Sequence, residues 1–119
     1  MSYVDGFVVP VERTRLEEYR QFSETAAKRW MELGATAYVE CVGDDVPQGV
    51  RTSFPRAVEL NEGEVVVFAW ITYPSKAVRD QVSAAIMADP AFRDALPPFD
   101  GKRLIWGGFT PFVEHGKGA

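Results

Sequence analysis

The sequence predicts an α+β domain built on one antiparallel sheet, and three observations carry the prediction. The stretch Glu64-Val65-Val66-Val67-Phe68-Ala69-Trp70-Ile71-Thr72-Tyr73 is apolar without interruption from Val65 to Ile71. It is too short to cross a membrane, and its β-branched and aromatic residues favour a strand over a helix. Two amphipathic helical stretches flank it, one between residues 14 and 34 and one between 75 and 89. The strand is greasy on both faces: Val65, Val67, Ala69 and Ile71 point one way, and Val66, Phe68, Trp70 and Thr72 the other. Two helices can cover only one of those faces.

The remaining elements follow from local patterning. Tyr3 to Val9 is a first strand, with Pro10 expected to stop it. Thr14-Arg15-Leu16-Glu17 has the capping-box pattern of a helix start. Leu16, Tyr19, Ser23, Ala26, Ala27, Trp30 and Leu33 then recur at helical spacing, and Gly34 is a natural terminator. Ala35 to Val42 is a second strand, with Tyr38, Glu40 and Val42 sharing one face. Gly43 to Gly49 is turn chemistry. Phe54 to Leu60 is expected as a short edge strand, a place where Pro55 is tolerated. Asn61-Glu62-Gly63-Glu64 is a tight turn into the central strand. Ser75 is the expected N-cap of the second helix, whose stripe is Val78, Val82, Ala85 and Ile86. Asp89-Pro90 ends it, because the residue before proline avoids helical angles. Lys102 to Val113 is the last strand, and Gly107-Gly108 within it suggests a bulge or a close backbone approach.

Strand, helix, strand, strand, helix, strand is the ferredoxin-like order. Right-handed crossovers place both helices on the same face of the sheet. Phe68 and Trp70 on the other face could each bury roughly 150–250 Å². A monomer rarely exposes such a patch. A second copy of the sheet is the expected cover, giving a homodimeric α/β barrel through the open face. A single domain spanning residues 1–114 is expected, followed by a flexible tail at 115–119.

Composition bounds the function. At 119 residues, 46% of them hydrophobic and 25% charged, the chain suits one soluble globular domain. A formal net charge of -4 and no Lys/Arg cluster argue against nucleic acid as a partner. No basic and apolar leader opens the sequence, so a cytoplasmic protein with no membrane attachment is expected. Cys41 is the sole cysteine, which suits a reducing compartment, and with His115 the sole histidine the usual zinc ligand sets are missing.

Several motifs together resemble one family. They are Val4-Asp5-Gly6-Phe7-Val8-Val9-Pro10, Glu40-Cys41-Val42-Gly43-Asp44-Asp45-Val46-Pro47, Ser53-Phe54-Pro55-Arg56-Ala57-Val58, Trp70-Ile71-Thr72-Tyr73-Pro74-Ser75-Lys76, Met87-Ala88-Asp89-Pro90 and Pro98-Phe99-Asp100-Gly101-Lys102-Arg103-Leu104-Ile105-Trp106-Gly107-Gly108-Phe109. The chain resembles, over nearly its whole length, the uncharacterised bacterial YbaA-like family, a domain of unknown function. The resemblance implies the dimeric α/β-barrel fold. It implies no activity and no set of catalytic residues.

Candidate chemistry is sparse. Glu40 is the candidate catalytic group: on a strand face that points inward it could act as a base, whereas a structural role would pair it with Arg103 or Arg56 across strands or leave it in solvent. Tyr38, Trp70, Arg103 and Trp106 are the candidate ligand-binding residues. The aromatics would line a pocket and Arg103 would hold an anionic group; the alternative for Trp70, Trp106, Phe68, Phe109 and Tyr38 is a dimer core. Asp44-Asp45 reads as turn chemistry rather than a cation site. Cys41 is expected to be buried and inert, and His115 to be a spectator in the tail. No phosphate loop, dinucleotide fingerprint or nucleophile elbow is present, and no metal or other cofactor is expected. Two functions remain open: a non-catalytic small-molecule-binding or stress-associated dimer, and a small cofactor-independent enzyme acting on a partly apolar oxygenated metabolite.

Overall fold

The computed structural model describes residues 2–117. Its elements are β1 (Tyr3–Glu12), a 3-10 turn (Arg13–Arg15), α1 (Leu16–Leu33), β2 (Ala37–Val42), α2 (Phe54–Ala57), β3 (Glu64–Tyr73), α3 (Lys76–Ala88), α4 (Pro90–Arg93) and β4 (Ile105–Phe109). The strands form one sheet in the order β2-β3-β1-β4, with every pair antiparallel. This is the expected ferredoxin-like α+β fold, with the apolar strand β3 in the interior of the sheet. Of the tail expected at 115–119, residues 118–119 lie outside the described residues.

The two faces of β3 meet different partners. Val65, Val67, Ala69, Ile71 and Tyr73 are all buried. One cluster under the helices joins Val9, Val11, Val65 and Val67 to Tyr19 of α1, and a second joins Ala35, Ile71 and Tyr73 to Val82 and Ile86 of α3. Burying the valines and isoleucines among them stabilises the fold by ~1.5–3 kcal/mol each. Ser75 caps α3 as expected, accepting the Val78 N–H at 3.2 Å. Asp89 ends that helix and caps α4, accepting the Ala91 N–H at 3.0 Å. Gly34 closes α1 at φ 134°, where a side chain would be strained.

Four local expectations are corrected. Pro10 does not stop β1, which runs on to Glu12. Arg13 donates its N–H to Gly63 beside β3, at 3.0 Å. Strand N–H groups alternate between edges, so the ring nitrogen of Pro10 faces the β4 side. There β4 pairs only from Val4 to Val8, and no ladder bond is lost. Thr14 does not cap α1: β1 ends so close to the helix that Arg13–Arg15 must make a 3-10 turn, and Arg15 occupies the cap position without a side-chain bond. Phe54–Leu60 is not an edge strand. Ser53 accepts the Arg56 N–H at 3.0 Å and Pro55 sits in the first turn, so the segment coils into α2. β4 starts later than expected because Asp100 builds a turn, accepting the Lys102 N–H on its side chain at 2.9 Å and the Leu104 N–H on its carbonyl at 3.2 Å, and it ends at Phe109 instead of Val113.

Gly107-Gly108 makes a close approach and not a bulge. The β1–β4 register runs unbroken through Gly6↔Gly107 and Asp5↔Gly108. A Cβ on Gly108 would lie 2.8 Å from Tyr3 Cε2, so the bare glycine lets the Tyr3 ring lie across the edge strand. The Arg79 guanidinium covers that ring 4.8 Å from its centroid. Arg79 also donates to Asp5 at 2.7 Å, and Tyr73 donates to the other oxygen of Asp5 at 3.0 Å. This buried network ties β1, β3 and α3 together.

The open face is bare only in part. The β2–β3 connection folds over one end of it, packing Val58, Val46 and Leu60 against Val8 and Val66. Beyond that cover, Phe68, Ile105 and Phe109 are exposed, with Phe54 of α2 against Phe68 at 5.6 Å between ring centroids. Cys41, expected to be buried, is exposed, because its register with Phe68 puts it on this uncovered face.

Candidate functional site

The helical layer does not fill the space above the sheet. A cavity of about 290 Å³ lies between them. Phe7 and Val9 of β1, Ala69 and Ile71 of β3, and Tyr38 and Glu40 of β2 form its floor. Tyr19, Phe22, Ser23, Ala26 and Trp30 of α1 and Ile86 of α3 form its roof, and Phe92, Ala95, Pro97, Phe99 and Leu104 close one side. Small residues make the room: Ala69 stands directly across from Glu40 in the sheet, and Ala26 is buried in α1 above. The aromatic walls are braced edge to face, Trp30 against Tyr38 at 6.0 Å and Phe92 at 5.8 Å, and Tyr19 against Phe99 at 5.9 Å.

The polar groups converge on Glu40. The Tyr19 hydroxyl donates to one carboxylate oxygen. The Tyr38 hydroxyl donates to the other at 3.0 Å. Burial pushes both phenol pKa values well above their ordinary value, and the Glu40 charge adds to the effect. Both phenols are therefore fixed as hydrogen-bond donors. A surface groove of about 600 Å³, lined by Arg13, Glu17, Arg20, Glu24 and Val42 among others, shares Tyr19, Ser23, Tyr38 and Glu40 with the cavity. The carboxylate thus sits where the cavity meets the outside, between α1 and β2.

Of the residues singled out in the sequence, the structure brings Glu40 and Tyr38 together at this cavity. It keeps the others apart from them. Trp70 lies on the open face, paired with Val39 and 5.6 Å from Phe68 between ring centroids, with the whole sheet between it and Glu40. Trp106 is paired with Phe7 and so is on the helix side, but on the edge strand, where it is exposed and does not line the cavity. Arg103 is fully engaged. It donates to Glu64 at 2.7 and 2.8 Å, to Asp100 at 2.9 Å and to the Glu59 carbonyl at 3.0 Å. Its guanidinium holds both Glu64 and Asp100 below the usual carboxylate range. It is a clamp between the β4 turn and the start of β3 and has no free edge for an anion. The predicted structural partners of Glu40 are also replaced: Arg56 donates to the Gln48 and Gly49 carbonyls, and phenols take the place of arginines at Glu40. Asp44, Asp45 and His115 are exposed and line neither the cavity nor its groove. Among the described residues no group of His, Cys, Asp and Glu side chains could hold a metal ion.

Sequence reasoning missed Tyr19 and Phe22 as site residues. Tyr19 had one signal, a polar tip in a stripe otherwise built from small and apolar residues. Phe22 falls beside that stripe and had none.

The sheet order and the helix-covered face define a ferredoxin-like α+β protein. Two solved structures share this fold across almost the whole chain. A dimeric ferredoxin-like protein from an uncultured marine organism gives a TM-score of 0.62 at 10% identity, covering 97% of this chain and 100% of that one. Rv0793 from Mycobacterium tuberculosis gives 0.61 at 12% identity, covering 98% and 100%. Residues 2–101 match the family described as Protein of unknown function (DUF1428), and the chain belongs to that family. It is 47% identical over 117 residues to the uncharacterized protein YbaA of Escherichia coli strain K12 and to that of Shigella flexneri, covering 97% of this chain and all of each relative. No helix among the described residues is long and apolar enough to cross a membrane.

Proposed function

We propose that this chain is a homodimer that binds a small, mostly apolar molecule in the cavity beneath its helices. The observation that carries the binding role is the cavity itself: about 290 Å³, walled by aromatic and aliphatic side chains, with one carboxylate and two phenols converging at its mouth. Small-molecule sites have this character, an apolar body with a few placed polar groups that fix orientation. Dimerisation through the open face is supported by the run of exposed apolar side chains, Phe54, Phe68, Ile105 and Phe109, which a second copy would cover. The likeness in fold to a dimeric ferredoxin-like protein supports it too. The cavity lies on the opposite side of the sheet, so each protomer would keep its own. A lone cysteine, with no internal disulfide partner, suits a reducing cytoplasm.

The position of Glu40 at the cavity also favours a second reading, a cofactor-independent enzyme in which it moves a proton. Each carboxylate oxygen already accepts a phenol hydrogen, so a substrate proton must compete with a tyrosine. Binding therefore comes first. A thermal-shift screen of small metabolites tests it. A stabilising ligand whose effect vanishes in Ala26→Leu, which fills the cavity, is the expected outcome. Stabilisation that survives in that variant would place the ligand elsewhere.

A further inference from the structure

Resting on the cavity reading, we propose that the ligand is an organic amine, bound as an ammonium ion whose apolar body lies among the aromatic walls and whose nitrogen meets Glu40. Among the described residues Glu40 is the one charged side chain lining the cavity, and no Lys, Arg or His lines it with Glu40. Its two partners, Tyr19 and Tyr38, are neutral donors. The adjoining groove does not supply the missing positive charge. Arg20 is paired with Glu17 at 2.7 Å, and the groove lining sets two arginines, Arg13 and Arg20, against three glutamates, Glu17, Glu24 and Glu40, so its net charge is negative.

A half-buried carboxylate without a counter-ion is a costly arrangement, and a bound cation relieves it. Each oxygen accepts one phenol hydrogen and keeps a lone pair for the donors of an ammonium group. Six aromatic side chains besides Tyr38 line the cavity, and an aromatic ring attracts a cation that meets its face. A carboxylic acid would set two like charges together at the cavity mouth. A neutral alcohol would gain a hydrogen bond but no charge. Primary amines of this kind are protonated at neutral pH, as lysine is. At ~30 Å³ for each water-sized group, the volume admits a ligand of roughly ten non-hydrogen atoms. An arylalkylamine is of that size.

Calorimetry with phenethylamine, phenethyl alcohol, phenylpropionate and toluene tests this on the intact protein. The amine should bind at least about tenfold more tightly than the alcohol, as charge-assisted bonds exceed neutral ones. Phenylpropionate should be the weakest of the polar three. Glu40→Gln should remove the amine's advantage and leave alcohol binding in place; if that variant does not fold, the wild-type ranking decides. An amine that binds no better than the alcohol, or an advantage that survives Glu40→Gln, overturns the amine assignment and leaves the cavity reading standing. Failure of all four to bind overturns both.

Discussion

Phe68→Ala should weaken self-association by a predictable amount. Phe68 is 44% exposed in the single chain, and a partner sheet would cover what remains. A buried phenylalanine removes on the order of 200 Å² from water, so the uncovered share is about 90 Å². At ~25 cal/mol per Å² this is about 2 kcal/mol for each ring. A two-fold interface contains each residue twice, so the variant should lose about 4 kcal/mol, roughly a thousandfold in the dimer dissociation constant. Sedimentation equilibrium over a wide concentration range reads that constant directly. Met87→Ala is the control, since Met87 is exposed on α3, away from the open face. A dissociation constant unchanged by Phe68→Ala, or moved as much by Met87→Ala, would refute the open-face interface.

Other consequences are local. Arg79→Leu would strip the buried Asp5 of its cation and leave it the Tyr73 hydroxyl alone, so urea unfolding should show a loss of about 3–5 kcal/mol. Tyr73→Phe removes only the hydroxyl and should cost about 1.5–3 kcal/mol; a smaller loss in Arg79→Leu than in Tyr73→Phe would overturn this ordering. Arg103 holds Glu64 below its ordinary value of about 4.5, so this pairing stabilises the fold above that pH and the stability is lost as pH falls through the lower folded value. The stability gap between wild type and Arg103→Gln should therefore be widest near neutral pH and narrow in acid; a gap independent of pH would contradict the clamp. Trp70→Asp should dissociate or unfold the protein if a partner covers that ring, since it buries an unpaired charge, and a stable dimer in that variant would place the ring outside the interface.

The sequence was most legible where a single local rule decided the outcome. The boundaries of β3 followed from its unbroken apolar run, and those of α3 from Ser75 and Asp89-Pro90. Strand parity also sorted Tyr38 with Glu40, and Phe68 with Trp70, correctly within each strand. Parity cannot say which face of one strand matches which face of the next. That depends on register, and only the pairings Glu40↔Ala69 and Val39↔Trp70 place Glu40 and Trp70 on opposite sides of the sheet. Trp106 was misgrouped for a related reason, since a residue on the right face of an edge strand can still lie outside the cavity. Arg103 was misread because its bidentate partner Glu64 lies 39 positions away in sequence, where no local motif marks it. The β2–β3 connection defeated local reasoning because its cover of the open face comes from long-range contacts of Val46, Val58 and Leu60.

Methyl-resolved NMR with phenethylamine tests the central claim, that the helix-covered cavity is the binding site, most directly. The methyl groups of Ala26, Ala69, Ile71 and Ile86 line the cavity and should shift on titration, while those of Val39 and Ile105 on the open face should not. Shifts confined to Val39 and Ile105, or none with phenethylamine, phenethyl alcohol, phenylpropionate and toluene alike, would contradict it.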